Sequence, residues 1–354
     1  MKKKVLLFGY SRVNFGDDFF VYILAKKYAN IDFYIHIKEE QYKKPFENIK
    51  NIHCLDTERD VRKVQISDFD AYIYVGGSIF IESEYSRNEV KEFNYFIKEC
   101  KKVGKPFFYM TCNFGPYQTQ DYLNLVRENF ELATGVTIRD KDSYKLFEDI
   151  ESVSYAPDMA LLYNLDTVKE KQKKNTIGIS VINLLIRDNL KDKNDIYEDY
   201  IKRIIIKFAK RNYKVSLISF CEFEEDKKAI EKIKNMIPEE YKNSVEEILY
   251  QGDIEDFIKK YSNMEYMVCT RFHSMILSIM LKQKIYNLCY SKKQENAIND
   301  FSLFRKIDRI DNLSFETKLR KWHFRKVSKS KYIKLVSESK GQVSKFEKWL
   351  NDTK

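Results

Sequence analysis

An arginine and a histidine stand two positions apart, directly after an apolar run in the second half of the sequence. Residues 266–269 have the composition of a buried parallel strand, and apolar residues then recur at helical spacing as far as Met280. Arg271 and His273 therefore fall at a strand-to-helix turn, where α/β sheets bind ligands and where a helix N-terminus beside a cation favours an anion. The pair indicates an anionic substrate and a proton to move. An isolated pair of this kind is as often structural, with His273 bonded to backbone and Arg271 to a surface acid.

Polar and glycine-containing turns also follow the predicted strands of the first half. Those that carry candidate residues are Asn14-Phe15-Gly16-Asp17, Gly76-Gly77-Ser78, Ile138-Arg139-Asp140 and Pro157-Asp158. The backbone amides of a Gly-Gly turn can approach a ligand closely. Asp17 suits either a helix N-cap or a substrate contact, and Asp158 either fixes its turn or contacts substrate.

The elements that position these turns alternate between strands and helices in both halves of the chain. This alternation is typical of doubly wound parallel sheets. We expect an α/β fold with two Rossmann-like domains facing across a cleft, as in GT-B glycosyltransferases, and a C-terminal helical segment. The predicted boundaries are an N-terminal domain at 1–163, a polar, Lys-rich linker at 164–176, a C-terminal domain at 177–325 and the helical segment at 326–354.

Motifs for nucleotides and metals are missing from the sequence. The first strand leads into a Rossmann-like turn without G-x-G-x-x-G and without the Walker lysine. The six cysteines have no C-x-x-C spacing and are predicted to be buried thiols. We expect metal-independent chemistry without a cofactor.

The formal net charge of the 354 residues is +10, and lysines are frequent towards the C-terminus. No zinc-finger, RRM or KH pattern accompanies this charge, so nucleic-acid binding is not expected. Anionic substrates, or peripheral contact with an anionic membrane surface, fit the charge better. No apolar run spans a bilayer and no signal peptide is recognisable, so we expect a cytoplasmic protein, at most at the inner face of the membrane. The sequence does not indicate an oligomeric state.

Taken together, the turns resemble those of the polysaccharide pyruvyl transferase family. The matching pieces are Asn14-Phe-Gly-Asp17, Gly76-Gly77, Phe114-Gly-Pro116, Ile138-Arg-Asp140 with Ser143, Pro157-Asp158 and Arg271-Phe-His273. They occur in the family's order and span residues from about 5 to 295. The sequence departs from the family in having Ser78 where a third Gly is common, and in having Leu281-Lys-Gln-Lys284 where a Gly-x-Pro turn usually occurs.

The resemblance implies transfer of the pyruvyl unit of phosphoenolpyruvate onto two hydroxyls of a sugar, as a cyclic ketal. It implies Arg139, Arg271 and His273 as donor-site residues, with Lys293 or the equally reachable Lys292 as a further one. The acceptor would be a bacterial surface polysaccharide or its lipid-linked precursor. Asn14, Asp17, Gly76, Gly77, Ser78 and Asp158 are the candidate acceptor-side or cleft residues.

These residue types suit that chemistry. Guanidinium groups bind carboxylate and phosphate in bidentate fashion, and an ammonium adds a point charge. Attack of a sugar oxygen at C2 requires protonation of C3, for which His273 can act as a general acid. Either candidate carboxylate could hold a sugar hydroxyl or deprotonate it. The other histidines, His36, His53 and His323, lie in a strand, a polar connection and a basic tail, and we interpret them as surface or core residues.

Two other functions remain open at this stage. A GT-B glycosyltransferase with a nucleotide-sugar donor would share the architecture and a basic donor site. It would need residues that bind the base and the ribose of the nucleotide, and the second half of the sequence shows no motif for them. A non-catalytic polysaccharide-binding or membrane-surface protein would have no use for the Arg-x-His turn.

Overall fold

The computed structural model describes residues 2–303, 307–319 and 324–353. Contacts divide the chain into two compact units. The first unit comprises residues 1–11, 17–163 and 333–354, and the second comprises residues 12–16 and 164–332.

Each unit contains one sheet of parallel strands. The strands of the described residues are β1 (Lys3–Phe8), β2 (Ile31–His36), β3 (Ile52–Leu55), β4 (Ala71–Val75), β5 (Phe107–Cys112), β6 (Gly135–Ile138), β7 (Val153–Tyr155), β8 (Thr176–Ser180), β9 (Lys214–Ser219), β10 (Val245–Leu249), β11 (Tyr266–Cys269), β12 (Lys284–Cys289) and β13 (Asp308–Arg309). The sheet orders are β3-β2-β1-β4-β5-β6-β7 and β10-β9-β8-β11-β12-β13. The central strands are apolar and buried along their length because helices cover both faces of a doubly wound sheet.

Helices connect the strands. Those of the described residues are α1 (Phe15–Lys27), α2 (Glu84–Lys102), α3 (Gln120–Leu132), α4 (Lys141–Lys145), α5 (Asn194–Ala209), α6 (Asp226–Asn235), α7 (Glu239–Lys242), α8 (Ile254–Ser262), α9 (Phe272–Met280), α10 (Lys292–Asp300), α11 (Lys329–Ser339) and α12 (Ser344–Asp352). Their starts follow local chemistry. For example, Ser83 caps α2 through a reciprocal pair of hydrogen bonds with Ser86. No helix of the described residues is both long and apolar enough to cross a membrane.

The predicted C-terminal segment 326–354 does not form a unit of its own. Its residues from Ile333 onward belong to the first unit. There the buried Gln342 amide donates to the carbonyls of Ala156 (2.7 Å) and Pro157 (3.0 Å). The Trp349 ring lies 6.3 Å from that of Phe108, so this end of the chain packs beside β5.

The predicted linker 164–176 belongs to the second unit rather than to a free connection. The backbone N–H of Glu170 donates to Ser262 (2.7 Å), and that of Lys173 donates to the carbonyl of Asn263 (2.8 Å). A segment held by backbone hydrogen bonds of this kind needs no periodic apolar residues. Its polar, Lys-rich composition therefore indicated a linker.

Candidate active site

The Arg271 turn lies where the sequence predicts it, between β11 and α9. Arg271 has extended backbone dihedrals and is the N-cap residue of α9. The backbone N–H groups of Thr270 (2.8 Å) and Arg271 (3.2 Å) donate to the hydroxyl of Ser180 at the end of the neighbouring strand β8. The buried Ser180 hydroxyl therefore fixes the turn against the sheet.

His273 lies against the backbone of Gly16, which belongs to the same unit. A Cβ atom at Gly16 would stand 1.9 Å from Nδ1 of the imidazole, so only glycine leaves room for the ring in this position. The Gly16 N–H donates to the Asn14 side chain (3.1 Å), and the Phe15 N–H donates to the Phe220 carbonyl (3.0 Å). Two motifs far apart in sequence thus meet within one unit.

Arg271 is buried and bonded to two carboxylates. Asp226, which is fully buried, accepts from Nε of Arg271 (3.1 Å) and also pairs with Nη2. Glu224 pairs with Nη1 of Arg271 and with the Arg187 guanidinium. The backbone N–H groups of Phe220 and Cys221 also donate to Asp226 (3.1 and 3.2 Å). Asp226 thereby fixes the orientation of the Arg271 guanidinium.

The same cluster shifts several pKa values. Burial acts to raise the pKa of Glu224, but Arg271 and Arg187 outweigh it and hold that pKa at about 2. Burial also acts to raise the pKa of Tyr290, and here Lys293, Arg187 and Arg271 reverse the effect and lower it. The Arg187 guanidinium stands 4.7 Å from the centre of the Tyr290 ring. Several cations therefore act on one small region at the carboxyl ends of β8, β9, β11 and β12.

The two candidate lysines at the start of α10 have different surroundings. Lys292 is 69% exposed and pairs with Glu295 on its own helix (3.5 Å). The positive charge of Lys293 instead helps to lower the pKa of Glu224 and of Tyr290. Lys293 is therefore the better candidate for binding an anion beside Arg271.

A second buried arginine, Arg139, follows β6 in the first unit. Its Nη1 donates to Asp158 (2.7 Å), and its Nη2 donates to the side-chain oxygen Oδ1 of Asn113 (2.9 Å). A Cβ atom at Gly77 would stand 2.1 Å from Nη2, so the guanidinium rests directly on the Gly77 backbone. Ser78 also donates to Asn113 (3.3 Å). Three other turns of the first sheet thus converge on Arg139.

The two candidate aspartates of the first unit differ in position. Asp158 is fully buried, accepts from the Ala160 N–H (2.9 Å) and pairs with Arg139, which gives it a positioning role. Of the two roles considered for Asp17, the N-cap is wrong, because α1 begins at Phe15 and Asp17 lies in its first turn. A Cβ atom at Gly76 would stand 4.0 Å from an Asp17 oxygen, so this carboxylate borders the Gly76 turn.

Two further motif residues support the Arg139 turn. Asp140 caps α4 by accepting from the Ser143 N–H (2.9 Å). The Ser143 hydroxyl accepts from the backbone N–H of Phe114 (2.9 Å). These bonds tie the predicted motif around Phe114 to the turn that carries Arg139.

Histidines outside the Arg271 turn are placed differently. Within the described residues, His36 bonds to the Thr57 hydroxyl (2.7 Å), and His53 stacks on Tyr34 with ring centres 4.8 Å apart. His323 lies outside the described residues. The described residues contain no group of three His, Cys, Asp or Glu side chains that could hold a metal ion. Metal-independent chemistry remains a prediction.

Sequence reasoning missed Arg187, Glu224, Asp226, Tyr290 and Asn113. Glu224 lies in the connection between β9 and α6, and Asp226 is the first residue of α6, so acids at a strand-to-helix connection were a signal that could have found them. Tyr290 and Asn113 directly follow β12 and β5 in the same way. Arg187 lies several residues beyond β8 in a segment without periodicity, and no sequence signal marks it.

The fold places the chain among two-domain α/β proteins of the GT-B type. S. aureus MnaA in complex with UDP has a TM-score of 0.59 and 12% identity, covering 99% of this chain and 97% of that one. UDP-GlcNAc 2-epimerase from Neisseria meningitidis, bound to UDP-GlcNAc, has a TM-score of 0.55 and 12% identity, with coverages of 88% and 89%. At this identity the likeness shows the fold alone, and with the two parallel sheets it confirms the predicted fold class.

The family is shown by a separate comparison. The family model for polysaccharide pyruvyl transferase matches residues 14–284, from the Asn14 motif to beyond the Arg271 turn. The chain therefore belongs to the polysaccharide pyruvyl transferase family. A comparison with curated protein sequences gives no match.

Proposed function

We propose that this protein transfers the pyruvyl group of phosphoenolpyruvate onto two hydroxyls of a sugar, with His273 as the general acid. The observation that carries the proposal is the position of His273, inside the family match, beside Arg271 and against Gly16 in one unit. A histidine can give and recover a proton near neutral pH.

Charge at the Arg271 cluster supports an anionic donor. Arg271, Arg187 and Lys293 outnumber the carboxylates of Glu224 and Asp226, which leaves a positive excess. Each Nη atom of an arginine carries two hydrogens, so it can bond once to a carboxylate and once to a donor oxygen. Phosphoenolpyruvate carries both a carboxylate and a phosphate, and such groups suit guanidinium forks. Arg139 is proposed as a further donor-binding residue.

The proposed reaction balances without a redox partner. The first sugar oxygen forms a bond to C2 while C3 takes up a proton from the His273 imidazolium. The C2–O bond to phosphate then breaks with the electron pair leaving on phosphate, and the second sugar oxygen bonds to C2. Of the two hydroxyl protons released, one restores the imidazolium and the other leaves with the phosphate. The products are a cyclic ketal that carries the carboxylate, and inorganic phosphate.

The acceptor is proposed to be a sugar unit of a bacterial surface polysaccharide, such as capsule, exopolysaccharide or cell-wall glycan, or of its lipid-linked precursor. Its contacts are proposed at the turns of the first unit that carry Asp17, Gly76, Gly77 and Ser78. Asp158 is proposed to act there through Arg139, because both of its oxygens bond within the protein.

Calorimetric titration tests the donor. Phosphoenolpyruvate and UDP are titrated separately into the wild-type protein, with Arg62→Ala as a control because that arginine is exposed and pairs with nearby acids of the first unit. We expect heat with phosphoenolpyruvate, unchanged in the control, and none with UDP. Tight UDP binding without a response to phosphoenolpyruvate would instead favour a nucleotide-sugar glycosyltransferase.

A further inference from the structure

A small cavity of about 220 Å³ lies in the first unit, and Arg139 and its partners are not among the residues that line it. It is lined by Arg59, Val61, Tyr85, Asn88, Glu89, Glu92 and Phe93. Five of these residues follow one face of α2 at helical spacing, and the other two follow β3. The N-terminal half of α2 follows β4, so the cavity lies towards the carboxyl ends of the strands, where α/β sheets bind ligands.

One wall of the cavity is held in place by a hydrogen-bonded network. The Arg59 guanidinium donates to the Tyr74 hydroxyl (2.7 Å) and pairs with Glu89. The Tyr74 hydroxyl donates in turn to Glu89 (3.1 Å). Both Arg59 and Glu89 are largely buried, so their polar atoms have fixed directions before any ligand arrives.

Aromatic rings form the floor and the mouth of the cavity. Phe93 is buried beneath it, whereas the Tyr85 side chain is 70% exposed at its edge. The Arg59 guanidinium donates to the Tyr85 hydroxyl (3.4 Å), and at that exposure the face of the Tyr85 ring gains little from the protein core, so the face is available to a ligand. Asn88, one turn along α2, is also exposed and offers an amide with both donors and an acceptor.

Charges around the cavity are balanced. Arg59 pairs with Glu89, and Glu92 pairs with Arg62 at 3.4 Å. This differs from the cationic excess beside Arg271, so the cavity does not suit phosphoenolpyruvate. Its volume lies below the ~300–1,000 Å³ of sites for drug-sized molecules, so a ligand must be small. The paired charges of the lining favour a neutral, polar ligand.

We propose that this cavity is a saccharide subsite that holds one neutral sugar unit of the glycan acceptor. A pyranose presents C–H groups on one face, which suit the Tyr85 ring, and hydroxyls around its rim, which suit Asn88, Glu92 and the Arg59–Glu89 pair. This assignment of a glycan acceptor rests on the proposed function, but sugar binding at the cavity can be measured without turnover.

Saturation-transfer NMR tests the subsite directly. The probes are methyl glycosides of glucose, galactose, mannose and N-acetylglucosamine, each added to wild type, Tyr85→Ala and Tyr95→Ala. Tyr95 is the matched control, because it is 66% exposed on the same helix and does not line the cavity. We expect at least one glycoside to bind, about tenfold more weakly in Tyr85→Ala and unchanged in Tyr95→Ala. Binding by none of the probes, or equal binding by both variants, would overturn the subsite.

A kinetic measurement separates this inference from the proposed function. With an oligosaccharide acceptor, Tyr85→Ala should raise the KM for acceptor about tenfold and leave the KM for phosphoenolpyruvate unchanged. Equal turnover and equal KM for acceptor in Tyr85→Ala and Tyr95→Ala would refute the subsite but leave the proposed pyruvyl transfer standing. If glycoside binding depended on Tyr85 but the protein never released phosphate, the subsite would stand and the proposed pyruvyl transfer would be refuted.

Discussion

Each unit of this protein has a buried arginine immediately after a parallel strand, yet the two arginines have different partners. Arg139 bonds to one carboxylate, from Asp158, and to the neutral amide of Asn113. Arg271 bonds to two carboxylates, from Asp226 and Glu224, and the second of these is shared with another guanidinium.

The difference separates a compact ion pair from a charge network. In the first, Asp158 pairs with Arg139, and the Gly77 backbone beneath the guanidinium limits its movement. In the second, cations exceed acids and a histidine lies beside the cluster. A network with excess positive charge can exchange a bond to Glu224 for a bond to a donor anion, whereas Arg139 would keep its bond to Asp158 while it binds the donor.

The largest expected effect is on turnover. His273→Ala should lower turnover by ~10²–10⁴-fold, which is the usual range for removing a positioned general acid. Phosphate release measures turnover, and calorimetry should show phosphoenolpyruvate binding largely retained. A variant that keeps most of its turnover would show that His273 is not the acid.

Stability should distinguish the two arginines next. Arg271→Ala leaves Asp226 and Glu224 short of a partner, and it should lower the free energy of unfolding by ~3–5 kcal/mol. Arg139→Ala removes the ion pair with Asp158 and should cost less. Urea denaturation measures both, with the exposed Arg62→Ala as a control near zero. An Arg139→Ala variant that is as unstable as Arg271→Ala would contradict the comparison.

Donor affinity gives a related prediction. Arg271→Ala and Arg139→Ala should each weaken phosphoenolpyruvate binding by ~2–5 kcal/mol if both guanidiniums bind the donor. Lysine at either position should recover only part, because the bidentate geometry is lost. Calorimetry on folded variants makes the measurement. Unchanged affinity in Arg139→Ala would limit donor binding to the second unit.

Acid should weaken the ion pairs of the Arg271 cluster. The pKa of Glu224 is lowered from 4.5 to about 2, so its ion pairs stabilise the fold above its unfolded pKa and are lost as pH falls towards 2. The free energy of unfolding of wild type should exceed that of Glu224→Gln by up to ~3 kcal/mol near neutral pH. The gap should narrow between about pH 4.5 and pH 2. If the difference in unfolding free energy between wild type and Glu224→Gln did not change with pH, the neighbouring arginines would not be lowering the pKa of Glu224.

The smallest expected effect concerns the glycine beneath His273. Gly16→Ala places a methyl group 1.9 Å from Nδ1 of His273, which is far closer than a van der Waals contact, so the imidazole must move. We expect about tenfold lower turnover, which corresponds to an activation free energy higher by ~1–2 kcal/mol, with little change in the free energy of unfolding. Gly104→Ser is the control, since a side chain there meets nothing within 4 Å, although its positive φ adds a small strain. Wild-type turnover in Gly16→Ala would mean that the position of His273 is not critical.

The sequence predicted the strand-helix alternation and the turns that carry Arg139, Arg271 and His273, because these depend on local apolar patterns. It did not predict the short strand β3, nor that residues 12–16 belong to the second unit. The partners of Arg271 were also missed. Glu224 and Arg187 approach Arg271 because β9, β8 and β11 lie side by side in the sheet. The order of strands in a sheet cannot be predicted from the local sequence of any single strand.

The central claim is that phosphoenolpyruvate is the pyruvyl donor. The most direct measurement is phosphate release from phosphoenolpyruvate with a panel of galactosides, hexosamines and lipid-linked glycans, with the product analysed by mass spectrometry. We predict phosphate release that depends on acceptor and is matched by an equimolar amount of a ketal-bearing glycan. Absence of both with every acceptor, from protein that consumes a nucleotide sugar under the same conditions, would contradict the account.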